Sequence, residues 1–172
     1  MLNIVFDVDG VLTTGQFFYN SEGKVFKVFG ADDNDALSIL NRYCSSITFV
    51  TGDKRGFDIS HKRITVDMGW PLHLVSTIDR ASWIKGQFDL SKTVYMGDGI
   101  FDFLVMREVK YGIAPANAHS FSLAAADYVT TKRGGEGAVA EACVHILEKF
   151  YNLSIPTIDL KGIGRVGGDW PI

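Results

Sequence analysis

Leu2-Asn3-Ile4-Val5-Phe6-Asp7-Val8-Asp9-Gly10-Val11-Leu12-Thr13 opens with an apolar run and breaks into two acids and a glycine. A run that is apolar but for Asn3 is expected of a strand buried on both faces, which means a parallel sheet covered by helices. In open α/β sheets, ligands bind beyond the carboxyl ends of the strands, where Asp7 and Asp9 fall. In an extended segment, residues two apart point the same way, so both carboxylates are predicted to face one pocket with Val8 turned away. Two acids so close repel unless a positive charge or a proton relieves them. A divalent metal would do this for one, and a raised pKa would make the other a usable acid. A capped loop with two solvated aspartates is the plainer alternative.

Outward from this stretch the rhythm repeats. Short apolar runs recur at 47–50, 72–75, 93–96, 111–114 and 128–130. Helical patterns fill 33–43, 54–63, 78–88, 100–109 and 118–126, and a longer one over 136–150 puts Ala138, Val139, Ala142, Cys143, Ile146, Leu147 and Phe150 on one face. Strands alternating with helices predict an α/β fold, a Rossmann-like parallel sheet with helices on both faces. One segment breaks the rhythm. The runs 16–19 and 24–29 flank Asn20-Ser21-Glu22-Gly23 and predict a β-hairpin insertion over 16–29. The expected organisation is one domain over 1–150 and an extended tail over 151–172, which holds Pro156, Gly162, Gly164, Gly167, Gly168 and Pro171.

Two further clusters fall at the same sheet edge. Val50-Thr51-Gly52-Asp53 follows the second run, and a Thr hydroxyl with backbone amides at a helix start suits phosphate oxygens. Met96-Gly97-Asp98-Gly99-Ile100-Phe101-Asp102 follows the fourth, with Asp102 in the first helical turn, where it could equally serve as a cap. Hard oxygen ligands without nearby His or Cys favour Mg²⁺ over zinc. The four histidines (61, 73, 119 and 145) lack ligand spacing, and Cys44 and Cys143 fit no metal or redox pattern. A net charge of −3 offers no broad basic field, so no nucleic-acid partner is expected. The start of the chain lacks a signal peptide's pattern and no stretch is long enough for a membrane span, so the expectation is a cytoplasmic protein with no membrane partner.

Asp7-Val8-Asp9-Gly10, Thr51-Gly52 and Gly97-Asp98 with Asp102 resemble three signatures of the haloacid dehalogenase superfamily. The resemblance runs from Asn3 to Phe150 and takes in the hairpin, Ala125-Ala126-Asp127-Tyr128-Val129-Thr130 and Gly134-Gly135-Glu136-Gly137-Ala138-Val139. That combination is similar to the subgroup of 3-deoxy-D-manno-octulosonate 8-phosphate and nonulosonate 9-phosphate phosphatases. The resemblance implies a haloacid dehalogenase-like fold without a large cap. It implies Mg²⁺-dependent hydrolysis of a small phosphorylated sugar or sugar acid through an aspartyl-phosphate. Asp7 would be the nucleophile and a metal ligand, and Asp9 the acid and base, with its backbone carbonyl on the metal. Asp98 would be the second metal carboxylate, with Asp102 orienting it. Thr51, Gly52 and Arg80 would hold the phosphoryl group, Arg80 standing where the superfamily commonly has Lys, and Lys85 is the fallback cation.

Several positions depart from that pattern. Asp32-Asp33-Asn34 stands where a basic residue, Asp and Gly are usual; Asp53 follows Gly52 where Arg is common; Gly99 replaces a frequent acid. Added negative charge would repel a sugar acid. Two other readings stay open at this point: a catalytically weak relative with an assembly or regulatory role, and a response-regulator receiver, against which the Asp-x-Asp-Gly-Val spacing and the hairpin argue. The hairpin's apolar residues, Phe17, Phe18, Tyr19, Val25, Phe26, Val28 and Phe29, exceed what one buried face accounts for. With the resemblance they predict a homo-oligomer, a tetramer joined through 16–29 that completes each site in trans.

Overall fold

The computed structural model describes residues 1–159. The opening run forms β1 (Asn3–Asp7), and a tight coil follows over Val8–Leu12. The hairpin is β2 (Thr13–Asn20) and β3 (Gly23–Phe29), and α1 (Asp33–Leu40) leads to β4 (Ser46–Thr51). Next come α2 (Phe57–His61), β5 (Leu72–Leu74), α3 (Arg80–Gln87), β6 (Thr93–Met96) and α4 (Asp102–Met106). The chain continues through β7 (Tyr111–Ala114), α5 (Ser120–Ala125), β8 (Tyr128–Val129) and α6 (Ala138–Tyr151). Six parallel strands make one sheet in the order β5-β4-β1-β6-β7-β8, and β2 and β3 pair only with each other.

Alternation along β1 builds the two sides of the core. Ile4 and Phe6 point to one face, where α1 and α6 pack; Val5 points to the other, with Ile84 of α3 and Val105 and Met106 of α4. From β1 the chain first builds outward through β4 and β5, then returns to place β6 on the other side. β1 therefore marks the topological switch, and the carboxyl ends of β1, β4 and β6 frame one crevice.

Three expectations need adjustment. The extended backbone does not continue through Asp9: the strand stops at Asp7 because Gly10 takes φ 92° and the chain coils. The hairpin is longer than 16–29 at its start and turns on two residues, Ser21 and Glu22, whose turn is stapled by Asn20 Oδ1 accepting from the Glu22 and Gly23 amides. The helix expected over 100–109 is only the short α4, since Gly99 to Phe101 form a turn before it. After α6 the chain leaves through left-handed Asn152, and Leu153, Ile155 and Ile158 pack back on the core. The rest of the expected tail lies outside the described residues. Among the described residues, no helix is long and apolar enough to cross a membrane.

A brace under the coil shapes the site. Gly135 donates its amide to the Val11 carbonyl (3.0 Å), and Gly134 to Asn117 Oδ1 (2.7 Å). A Cβ on Gly134 would stand 1.7 Å from the Gly10 carbonyl oxygen, so only glycine permits this approach. The brace runs into α6, where Asp33 Oδ1 accepts from the Ala140 amide (2.9 Å). Burial raises the Asp33 carboxyl to about 6.

Candidate active site

Asp7 sits at the end of β1, buried, with Oδ1 accepting from the Val8 amide at 2.7 Å. Its Oδ2 accepts from Arg80 Nη1, also at 2.7 Å. Arg80 is the first residue of α3 and only 1% exposed. The same nitrogen donates to Asp102 Oδ1 and to the Tyr95 hydroxyl, each at 2.9 Å. Tyr95 in turn donates to Asp102 Oδ1 (2.7 Å), and the Gly99 amide donates to Asp102 Oδ2 (2.8 Å). Both oxygens of Asp102 are thus engaged. Lys85 is exposed on α3, away from the cavity lining.

Asp98, after β6, approaches from the other side. Its Oδ1 is buried without a hydrogen-bond partner, and a Cβ on Gly10 would stand 2.0 Å from its Oδ2. Asp7, Asp98 and Asp102 bring one oxygen each within 4.8 Å of one another. Burial, partly opposed by Arg80 and reinforced by Asp102, pushes the Asp7 carboxyl up to about 7. Burial and the neighbouring acids Asp7 and Asp102 push Asp98 up to about 8. Such mutual repulsion is what a cation between them relieves. An all-oxygen set at this spacing, with an unpartnered carboxylate oxygen, suits a hard divalent ion.

Asp9 turns toward β4 and the hairpin. Thr51 Oγ1 donates to Asp9 Oδ2 (2.9 Å), and Lys27 Nζ lies 2.8 Å from Oδ1. Asp7, Asp9, Gly52, Arg80 and Asp98 line one cavity of about 250 Å³, together with Phe17, Lys24, Asp53, Thr77 and Gly99. Thr51 and Asp102 lie just behind, bonded to Asp9 and Arg80. All seven site residues named from the sequence therefore meet in one place.

Sequence reading missed the hairpin's share. Lys27, its side chain fully buried, contacts Asp9, Asp53 Oδ2 (2.9 Å) and Ser60 Oγ (2.8 Å). Lys24 also pairs with Asp53 Oδ2, its ammonium 3.4 Å from the centre of the Phe17 ring. Burial alone would raise the Asp53 carboxyl, but bonds from Lys24 and Lys27 outweigh it and hold Asp53 below the usual range. Lys24 and Lys27 are three apart and in a regular strand would face opposite ways. The register gives the reason: Phe17 opposes Lys27 and Phe18 opposes Phe26, but Tyr19 opposes Lys24, so Val25 is an extra residue. This bulge turns both lysines to one face. The hairpin face bearing Phe17, Lys24 and Lys27 therefore lies over the site of its own chain, while Phe18 and Phe26 stay exposed.

A family model of haloacid dehalogenase-like hydrolases matches residues 83–142. The 3-deoxy-D-manno-octulosonate 8-phosphate phosphatase of Yersinia pestis is 30% identical over 149 residues, 84% of this chain and 78% of that protein. The enzyme of that name from Escherichia coli K12 is 29% identical over 145 residues, 81% and 76% of the two chains. Among solved structures, the Moraxella catarrhalis enzyme in complex with magnesium ion, phosphate ion and KDO is 31% identical, with TM-score 0.74 and 85% of each chain covered. The cobalt-bound Haemophilus influenzae enzyme is 26% identical, with TM-score 0.74 and 85% of this chain and 86% of that one covered. With this fold and this degree of identity over most of both chains, the chain belongs to the haloacid dehalogenase-like phosphatases, in the group related to 3-deoxy-D-manno-octulosonate 8-phosphate phosphatase.

Proposed function

We propose that the protein is a cytoplasmic, Mg²⁺-dependent phosphomonoesterase for a small phosphorylated sugar or sugar acid, working through an aspartyl-phosphate on Asp7. The observation that carries this reading is the convergence of Asp7 and Asp98, the latter with a buried unpartnered oxygen, beside the Arg80 guanidinium. Asp7 and Asp98, with the Asp9 carbonyl, would hold the ion, because both oxygens of Asp102 are occupied by Arg80, Tyr95 and Gly99. Asp7, Asp9, Asp53, Asp98 and Asp102 set against Lys24, Lys27 and Arg80 leave two negative charges uncompensated, the charge a divalent ion balances. Once bound, Mg²⁺ supplies positive charge to the transferring phosphoryl oxygens.

The Asp7 carboxylate attacks phosphorus, and the bond from phosphorus to the sugar oxygen breaks. Asp9 gives its proton to that oxygen. Water then attacks the phosphorus of the acyl phosphate and Asp9 takes its proton, which releases inorganic phosphate and restores Asp7. Arg80 and the backbone around Gly52 stabilise the developing charge. Thr51 fixes Asp9, to which it already donates. The test is Asp7→Asn: turnover of p-nitrophenyl phosphate with Mg²⁺ falls by at least about 10³-fold while the circular dichroism stays native. Near wild-type turnover by this variant sinks the mechanism.

A homo-oligomer, in the resembling pattern a tetramer, belongs to the same reading. Phe18, Phe26 and Val28 leave an apolar outer face on the hairpin, and Ile100, Phe101, Leu104 and Phe121 are also exposed. Light scattering coupled to size exclusion is expected to give a mass near four chains; a fully active 19.0 kDa monomer would refute assembly.

A further inference from the structure

The cations at the mouth of the cavity are already committed. Asp53 Oδ2 takes the ammonium groups of both Lys24 and Lys27, and Asp53 Oδ1 accepts from the Gly56 amide at 3.1 Å. Lys27 also serves Asp9, and Lys24 is wedged between Asp53 and the Phe17 ring. The fit is tight: a Cβ on Gly56 would stand 2.7 Å from Lys27 Cε and 2.8 Å from Lys24 Cδ. Arg80, the other cation lining the cavity among the described residues, is tied to Asp7 and Asp102. With a divalent ion the charge of the pocket comes to zero when all five carboxylates are ionised, and to one positive charge when Asp9 holds the proton it gives to the leaving oxygen. A phosphoryl dianion then makes it negative, and among the described residues that line the cavity a second anionic group on the substrate would find no uncommitted cation. To gain one it would have to pull Lys24 out of a nearly dry ion pair, which is costly because it leaves Asp53 with Lys27 as its one cation, shared with Asp9.

We propose that Asp53 is a specificity-determining residue: by holding Lys24 and Lys27 it turns the site toward phosphorylated sugars that carry no carboxylate and against phosphorylated sugar acids. This rests on the phosphatase reading above and narrows its substrate class. Asp53 acts through the two lysines and not on the reacting atoms. Removing its charge frees the ammonium of Lys24, which lines the cavity.

Glucitol 6-phosphate and gluconate 6-phosphate test this, since they share a six-carbon chain and differ by hydroxymethyl against carboxylate at the far end. Each is measured as a competitor of p-nitrophenyl phosphate hydrolysis by the full chain with Mg²⁺, so neither has to be the natural substrate. The wild type is expected to bind the glucitol ester at least about tenfold more tightly. Asp53→Asn shifts that ratio by about tenfold toward the gluconate ester. Lys24→Met alone leaves the ratio where it was, while Asp53→Asn/Lys24→Met returns to the wild-type ratio because the freed ammonium is gone. A wild type that prefers the gluconate ester overturns the proposal. So does loss of the preference in Lys24→Met alone, a readout that holds even if Asp53→Asn fails to fold. Competition by neither ester overturns it as well. A chain that leaves p-nitrophenyl phosphate untouched removes the phosphatase reading itself and this inference with it.

Discussion

Arg80 does the work of an ammonium with one end of its guanidinium. Its Nη1 alone meets Asp7, Tyr95 and Asp102, and its Nε is buried without a partner. The fork that usually distinguishes Arg from Lys is therefore unused on these partners. Arg80→Lys is accordingly expected to keep kcat/KM within about tenfold, since three ammonium hydrogens can serve the same three oxygens. Arg80→Met leaves Asp7 and Asp102 facing each other in a dry site, at a cost of about 3–5 kcal/mol in urea unfolding and with turnover lost. Equal behaviour of the two variants would show that the charge itself is unimportant. This position was legible only through the family resemblance, which sets Arg80 where the superfamily commonly has Lys, with Lys85 as the fallback. Tyr95 was not: it sits inside an apolar strand run, and nothing in Thr93-Val94-Tyr95-Met96 signals that its hydroxyl reaches across to Arg80 and Asp102.

Among the elements, the strands and helices of the parallel sheet were readable because each carries its own periodicity. The hairpin was readable as a hairpin, and its aromatic excess foretold that its own chain leaves Phe18 and Phe26 exposed. Which face met its own chain was not readable, because the bulge at Val25 reverses the facing of Lys24 and leaves no trace in composition. The contact with α2 and the turn before it depends on Gly56, which lies against both lysine stems and Asp53 Oδ2. Gly56→Ala overpacks this joint and should cost about 1–3 kcal/mol. That corresponds to a fall in Tm of roughly 2–10 °C for a chain of this size. Amide hydrogen exchange in β2 and β3 should rise more than in β1 or β4. Unchanged protection of the hairpin would mean that it is held by something other than this joint.

For the molecule as a whole, the site is a source of instability that pH and metal should reveal. Asp7 and Asp98 are raised to about 7 and 8, and Asp33 to about 6, so the folded chain holds protons that the unfolded chain has released above pH ~4. The unfolded state then binds fewer protons, and stability falls as pH rises from about 4 through 8 on account of these groups. In chelator, the Tm is therefore expected to drop between pH 6 and pH 8. Mg²⁺ should restore it, and by more at pH 8 than at pH 6, because at the lower pH protons compete with the ion. A Mg²⁺ shift that is equal at both values, in a thermal melt, would argue against a metal held by Asp7 and Asp98. The glycine brace has a different consequence, in time. Gly134 and Gly135 hold the coil after Asp7, yet they are made long after Asp7 has left the ribosome. Early in synthesis the chain carries Asp7 and Asp9, both acids of the first cluster, without this support. Competence for catalysis is thus deferred until α6 docks, and nascent fragments ending before Gly134 should hydrolyse nothing.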